Sequence, residues 1–419
     1  MFQKEGKMSK SMKEKLWTKG FALIWQGQLV STLGDAAYSI ALGFWVLQAT
    51  GSTALMGTLM ASSALSGILI SPFAGVWIER LNRKALLIIM DIIRGISMLL
   101  IAVAAFTNHL SVWMVFVAGI ILSVCGAVFR PGVNSSIPDL VPVERLTNAN
   151  SSLSIASTGS NMLGNIAGGY LFQLLGAPLL FLFNGLSYFF SGSSLAFVKL
   201  SKNKEVTKKD FFKDMKEGFI FMWKQKGLRY LLMITAFINF FAYVAIVLFL
   251  PFFQRNSYLG AGRYGVAMAC FMGGAMIGFV VFSIVTIPPK KRLSFFIISN
   301  IISNISLSIA VIQHNFGIMI AFLLLGGIFN SIINVLLLST VQATTPADMR
   351  GKVMAFLSMS TQSLTPFAMA FGGVLAAFFP IKSIISISFL LIVIIVTPFA
   401  FVKSFVQYIS YTEKEAASE

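Results

Sequence analysis

Residues 22–78 read ALIWQGQLVSTLGDAAYSIALGFWVLQATGSTALMGTLMASSALSGILISPFAGVWI, and a single ionisable side chain, Asp35, interrupts them. The stretch holds most of two apolar runs, 21–48 and 54–78, each longer than the roughly 20 residues a helix needs to cross a bilayer core. Breaking the rest of the chain at its Gly, Pro, Asn and charged punctuation gives ten more such runs. They lie at 85–107, 111–130, 149–174, 178–199, 228–252, 264–287, 293–313, 317–340, 352–378 and 382–403. The pattern predicts an all-α integral membrane protein with twelve transmembrane helices.

Composition agrees. Of 419 residues, 57% are hydrophobic and 11% charged, and the mean hydropathy is +0.83, more apolar than a soluble domain can bury. The net charge of +17 raises the question of a nucleic-acid partner. The basic residues answer it by lying between apolar runs, ten of them within 199–229, so the partner they indicate is the lipid bilayer and not nucleic acid. Cys125 and Cys270 sit inside apolar runs without metal-type spacing and read as small hydrophobes. The first twenty residues carry six lysines but no apolar core with a cleavage site, which reads as a cytoplasmic tail.

Lysine and arginine in short loops fix orientation. With both termini in the cytoplasm, 28 basic residues fall on the inner side and three, Arg255, Arg263 and Lys382, on the outer. The expectation is a multi-pass protein of the cell (inner or plasma) membrane, with tails at 1–20 and 404–419. Two six-helix bundles, 21–199 and 228–403, are joined by a cytoplasmic linker over 200–227. That linker places Phe211, Phe212, Met215, Phe219 and Met222 near helical spacing among charges, as an amphipathic helix would.

The two bundles repeat. At a constant offset of 204, Pro142 falls on Pro346, Glu144 on Asp348, and Gly168-Gly169 on Gly372-Gly373. Parallel repeats of six spans imply halves related by an axis along the membrane normal, with a substrate site near the midplane.

The segment Gly75-Val-Trp-Ile-Glu79-Arg80-Leu-Asn82-Arg83-Lys84 resembles the loop between helices two and three of the major facilitator superfamily. Glu79 stands where that family has Asp, and Asn82 where it has Gly, the other residue that tolerates a left-handed turn. Phe129-Arg-Pro131-Gly and Ile137-Pro-Asp-Leu-Val-Pro142-Val-Glu144 are similar to its macrolide-efflux-like drug exporter branch. So are Ser31-Thr-Leu-Gly34-Asp35 and Pro346-Ala-Asp-Met-Arg350-Gly351. The resemblance implies two pseudo-symmetric six-helix bundles and alternating access. It implies a gating latch made of Gly75, Glu79, Arg80, Arg83 and Lys84, with Glu79 meeting the N-terminus of helix eleven near Gly351. Two family features are absent. The Gly-Pro stretch of helix five is reduced to Gly164 and Gly168-Gly169, and the arginine often linked to proton coupling on helix four is replaced by Leu122.

Three ionisable residues lie inside the predicted spans, Asp35, Asp91 and Arg94, and an intramembrane charge is a functional candidate by default. Asp35, midway along helix one, is suited to reversible protonation and is the candidate proton-coupling residue. Asp91 and Arg94 are three apart, share a helix face and can pair; two turns from the Arg83-Lys84 loop, they read as part of the cytoplasmic latch. Polar stripes form the candidate substrate cavity: Gln28, Ser31 and Tyr38 on helix one, Asn161 and Asn165 on helix five, Asn239 and Tyr243 on helix seven. Asn330 and Asn334 on helix ten and Gln362 on helix eleven complete the set. The same residues are also suited to hydrogen bonding between helices, so both readings stand.

No phosphate-binding loop is present, and His109 and His314, both at outer helix ends, supply neither a metal site nor a catalytic triad. The chain reads as a transporter, not an enzyme, with no cofactor and no metal. The expected function is proton-coupled export of a small hydrophobic or amphipathic, macrolide-like compound by a monomer. A lysophospholipid or other lipid-like transporter, a siderophore exporter of the same fold, and a non-transporting membrane receptor are the alternatives.

Overall fold

The computed structural model describes residues 16–142, 145–200, 211–256, 258–284, 287–346 and 349–410. Within its helices a few side chains lie outside that description, those at Gly75, Glu79, Arg80 and Gly351 among them, so the Glu79–Gly351 contact falls there too. The described elements are α1 Lys19–Thr50, α2 Thr53–Arg80, α3 Arg83–Phe106 and α4 Val112–Ser136, then α5 (146–175) and α6 (177–196). There follow α7 Phe211–Lys224, α8 Lys226–Arg255, α9 Gly260–Ile284, α10 Pro289–Ile312 and α11 Phe316–Thr344. The last are α12 Arg350–Ser363, α13 Thr365–Phe378, α14 Ile381–Val396 and α15 Lys403–Ile409.

Among the described residues, ten helical stretches are long and apolar enough to cross a membrane. Two local breaks bring the crossings to twelve. The stretch Leu146–Ala196 has 51 residues, roughly 75 Å at 1.5 Å per residue, more than twice a bilayer core. It is divided at Gly176, whose φ of 75° and ψ of 179° no helix contains, with Pro178 just beyond. In the eleventh crossing, Leu364 departs to φ −87° and ψ −8° ahead of Pro366, which has no N–H to donate to the turn before it. Helices α12 and α13 have 14 residues each, about 21 Å apiece, and only the pair is long enough to cross.

The chain divides into two compact units. One comprises Met1–Ala49, Ser62–Val206 and Ala261–Gly265; the other comprises Thr50–Ala61, Thr207–Gly260 and Val266–Glu419. Lipid tails are as apolar as leucine, so membrane helices associate by close packing and hydrogen bonds, not by hiding from water. In the first unit α1 meets α6 through glycines. A Cβ on Gly27 would lie 3.3 Å from Ser191 Cα, and one on Gly34 would lie 2.6 Å from Ser187 Oγ and 2.7 Å from Asn184 Oδ1. Helix α3 meets α6 in the same way, through Gly95 against Phe189 and Gly192 against Asp91. Ile24, Leu87, Phe129, Val133, Leu195 and Val198 form the buried cluster beside these contacts.

The repeat at offset 204 has its counterpart in packing. Gly168 of α5 approaches Ala37 of α1, and Gly372 of α13 approaches Val244 of α8, with Cβ positions 2.8 and 2.9 Å from backbone atoms. Each unit adds a serine bond at the same interface. Ser160 Oγ donates to Leu29 O, and Ser360 Oγ donates to Leu232 O, both at 2.9 Å.

The span boundaries shift in one place that matters. Helix α4 runs on to Ser136 instead of stopping at 130, with Pro131 inside it, so Arg130 is a helix residue and not a loop cation. Asn82 does not take a left-handed turn. Its φ is −64° and ψ 104°, and its side chain accepts from Ala85 N at 3.2 Å as the N-cap of α3. The linker helix expected within 200–227 is α7, with Phe219, Ile220 and Trp223 exposed.

Candidate functional site

The contacts at Gly34, Gly95 and Gly192 bring α1, α3 and α6 close enough for their polar side chains to meet inside the first unit. Asp35, in the middle of α1, is half-buried, and Tyr188 of α6 donates its phenolic hydroxyl to Asp35 Oδ1. The Tyr188 ring is 1% exposed, and one face covers the guanidinium of Arg94 with the carbon 4.4 Å from the ring centre. Phe129 of α4 covers the same guanidinium at 4.2 Å. Held between two rings, a desolvated arginine gains about 2 kcal/mol or more of cation–π attraction. Arg94 also forms an ion pair with Asp91 through Nη2 and Oδ1.

Asp91 is 0% and Arg94 5% exposed. The pairing expected from their i,i+3 spacing is present. The pair, read from sequence as part of a cytoplasmic latch, lies within the packed helices, where Gly192 lets α6 close over Asp91 and the Phe129 ring closes over Arg94. Asp91 Oδ2 and Arg94 Nε are buried without a hydrogen-bond partner among the described residues. A buried pair of this kind costs about 3–5 kcal/mol when one member is removed, since the other is left as an uncompensated charge.

Arg83 and Lys84, the expected latch cations, bond to neighbours within the first unit. Arg83 Nη1 donates to Ser135 O at 2.8 Å and pairs with Asp139 Oδ2 at 3.1 Å, while Lys84 Nζ donates to Ala196 O at 2.5 Å. Both cations meet carbonyls at helix C-terminal ends, where the helix dipole favours them, and both tie α3 to neighbours in its own unit.

The polar stripes separate into two kinds. Asn161, Asn165, Asn239 and Asn334 each donate Nδ2 to the carbonyl four residues back on their own helix, at 2.7–2.9 Å. Each of these bonds stays within its own helix. Serine bonds join helices, at Ser160, Ser360, Ser303 to Gly326 O (2.9 Å) and Ser308 with Ser386 (2.6 Å). Ser31 donates to Gln28 O at 3.4 Å and is buried, and Tyr38 is buried with its hydroxyl unpartnered among the described residues. Gln28, Tyr243 and Asn330 are half-buried, and Gln362 is exposed.

Tyr188, Phe129 and Arg130 belong to the charged cluster without having been singled out from sequence. Tyr188 and Phe129 were two aromatics among many. Arg130, exposed on α4, exerts its charge on Asp35 together with Arg94. Leu122 carries no charge, and the cations within electrostatic reach of Asp35 are Arg94 on α3 and Arg130 on α4.

Twelve apolar crossings with a charge cluster inside one helical unit define a polytopic membrane transporter and not an enzyme. A model of the Major Facilitator Superfamily matches residues 24–368, and the chain belongs to that family. It is 25% identical over 370 residues to Macrolide efflux protein A of Streptococcus pyogenes, covering 87% of this chain and 90% of the relative. It is 29% identical over 126 residues to Multidrug resistance protein 2 of Bacillus subtilis (strain 168), 30% of each chain. Among solved structures, a bacterial homologue of the iron transporter ferroportin superposes with a TM-score of 0.71 at 16% identity. That match covers 93% of this chain and 98% of the other and establishes likeness of fold.

Proposed function

We propose that the chain is a secondary-active exporter that moves a hydrophobic or amphipathic, macrolide-like compound out of the cell by alternating access, in exchange for protons. The observation that carries the reading is Asp35. It is an acid at the middle of the first crossing, bonded to Tyr188 and acted on by two arginines, at a depth where an ionisable group is retained only for use. The names of the two relatives, a macrolide efflux protein and a multidrug resistance protein, support the substrate class.

In this reading Asp35 takes and releases the coupling proton. The substrate-contacting residues are Gln28, Ser31, Tyr38, Asn161 and Asn165, with Asn239, Tyr243, Asn330, Asn334 and Gln362. Asn161, Asn239 and Asn334, each with an amide proton bonded within its own helix, offer their carbonyl oxygens to a ligand. Gly75, Glu79 and Arg80 remain the proposed gate at the end of α2. The proposed organisation is a monomer of the cell membrane with bundles at 21–199 and 228–403, a linker at 200–227 and both termini in the cytoplasm, on the 28-to-3 distribution of basic residues.

The test is transport by the purified chain in proteoliposomes, with and without an imposed pH gradient, over a panel of macrolides, cationic dyes and lysophospholipids. Gradient-dependent movement of macrolides or dyes is expected. Movement of lysophospholipids alone, indifferent to the gradient, would replace the reading with that of a lipid-like transporter.

A further inference from the structure

The charges packed together in the first unit do not balance. Asp91, buried, and Asp35, half-buried, are two carboxyls, and among the described residues Arg94 is the one buried cation beside them. The ionisable groups that act on Asp35 are Tyr38 on its own helix, Asp91 and Arg94 on α3, Arg130 on α4 and Tyr188 on α6. Cys125 of α4 lies within electrostatic reach of Arg94. Arg130 is exposed, so solvent and counterions attenuate its share. Two ionised carboxylates with one buried guanidinium leave an uncompensated negative charge, which a low-dielectric interior disfavours strongly. One bound proton removes it.

We propose that Asp35 and Asp91 share a single exchangeable proton, with Arg94 fixed between ring faces as the common counter-charge, so that Asp91 is the second proton site of the transporter. Arg94 cannot follow one carboxylate away from the other, because Phe129 and Tyr188 hold it at 4.2 and 4.4 Å. Its bond goes to Asp91, and that of Tyr188 goes to Asp35. Asp91 Oδ2, the oxygen outside the Arg94 bond and with Ser191 beside it, is the atom open to a proton. The proton is taken from and returned to solvent: one O–H bond forms at the carboxylate that binds it and one breaks at the carboxyl that releases it, with no direct transfer between the two acids.

The two sites differ in depth. Gly34, next to Asp35, packs on Asn184 and Ser187, whereas Asp91 packs on Gly192. The five to eight residues of α6 between those levels span roughly 8–12 Å. The two carboxyls therefore exchange their proton at levels that differ by that distance, Asp91 lying nearer the end of α3 that carries Arg83 and Lys84.

The proposal rests on the reading of Asp35 as the coupling acid, and its test needs no substrate. The purified full chain in lipid nanodiscs is titrated by infrared difference spectroscopy, with Asp35→Asn used to isolate the Asp35 carboxyl band. In Asp91→Asn, Arg94 is left to Asp35 alone, the ionised carboxylate gains, and the band should titrate at a pH lower by about one unit or more. Removing the cation as well, in Asp91→Asn/Arg94→Gln, should bring the midpoint back up. A monodisperse Asp91→Asn protein whose midpoint stays at the wild-type value overturns the shared proton, as does a double variant that titrates with the single one. If Asp91→Asn does not fold, the reciprocal variant carries the test: in Asp35→Asn the remaining Asp91 carboxyl has Arg94 to itself and should titrate at a pH lower by a similar amount, and an unchanged Asp91 midpoint overturns the sharing. An Asp35→Asn variant that exports normally while Asp91→Asn shifts the titration would instead reject the coupling role and leave the shared proton standing.

Discussion

Replacing Tyr188 with phenylalanine removes one hydroxyl and keeps the ring. The ring is buried and lies 4.4 Å from the Arg94 guanidinium carbon, so core packing and the cation–π contact survive the change. What disappears is the donor to Asp35 Oδ1. A hydrogen bond to a charged acceptor contributes about 1.5–3 kcal/mol. Since about 1.4 kcal/mol corresponds to one pH unit, the proton-binding midpoint should move by roughly one to two units. Loss of a donor weakens the ionised carboxylate, so Asp35 keeps its proton to higher pH and the shift is toward alkaline. The assay is the pH dependence of gradient-driven efflux in proteoliposomes, with a thermal melt of the same preparation as control. A midpoint that stays put while the protein folds normally would show that Tyr188 is a packing residue and that the bond to Asp35 has no part in coupling.

Arg83→Ala breaks the bonds to Ser135 O and Asp139, and should cost on the order of 1 kcal/mol, read as a lower melting temperature without a change in the pH profile of transport; loss of transport at unchanged stability would return Arg83 to the gate. Gly168→Ala and Gly372→Ala place a methyl 2.8–2.9 Å from backbone of the facing helix, and each should destabilise by about 1–3 kcal/mol. The matching changes at Gly126 and Gly159, where nothing lies within 4 Å, should leave the melt unchanged or raise it, and equal effects at all four positions would refute the packing argument.

The fold was legible because a bilayer writes strong constraints into sequence: long apolar runs, charges confined to loops, and a repeat visible at Gly168-Gly169 and Gly372-Gly373. Breaks inside helices were legible only in part. Span limits at 174 and 178 bracketed Gly176, but the division at Leu364 carries no signal beyond Pro366, and Pro131 suggested an end to α4 where the helix runs on. Asp35 stood out because it is the one charge in its run. The identity of its partners did not, since Tyr188 and Arg130 are 153 and 95 positions away and only helix packing brings them near. Asp91 and Arg94 were read from their distance to the Arg83-Lys84 loop. Depth along a helix says little about burial when a neighbouring glycine, here Gly192, lets another helix close over the site.

The central claim, that Asp35 carries the coupling proton, is tested most directly by Asp35→Asn in proteoliposomes loaded with a radiolabelled macrolide. Asparagine keeps the shape and can still accept from Tyr188, but cannot change charge. With an imposed pH gradient, uphill movement should be abolished, while downhill efflux and substrate counterflow continue at a rate within a few-fold of wild type. Uphill movement by Asp35→Asn at the wild-type rate would contradict the account.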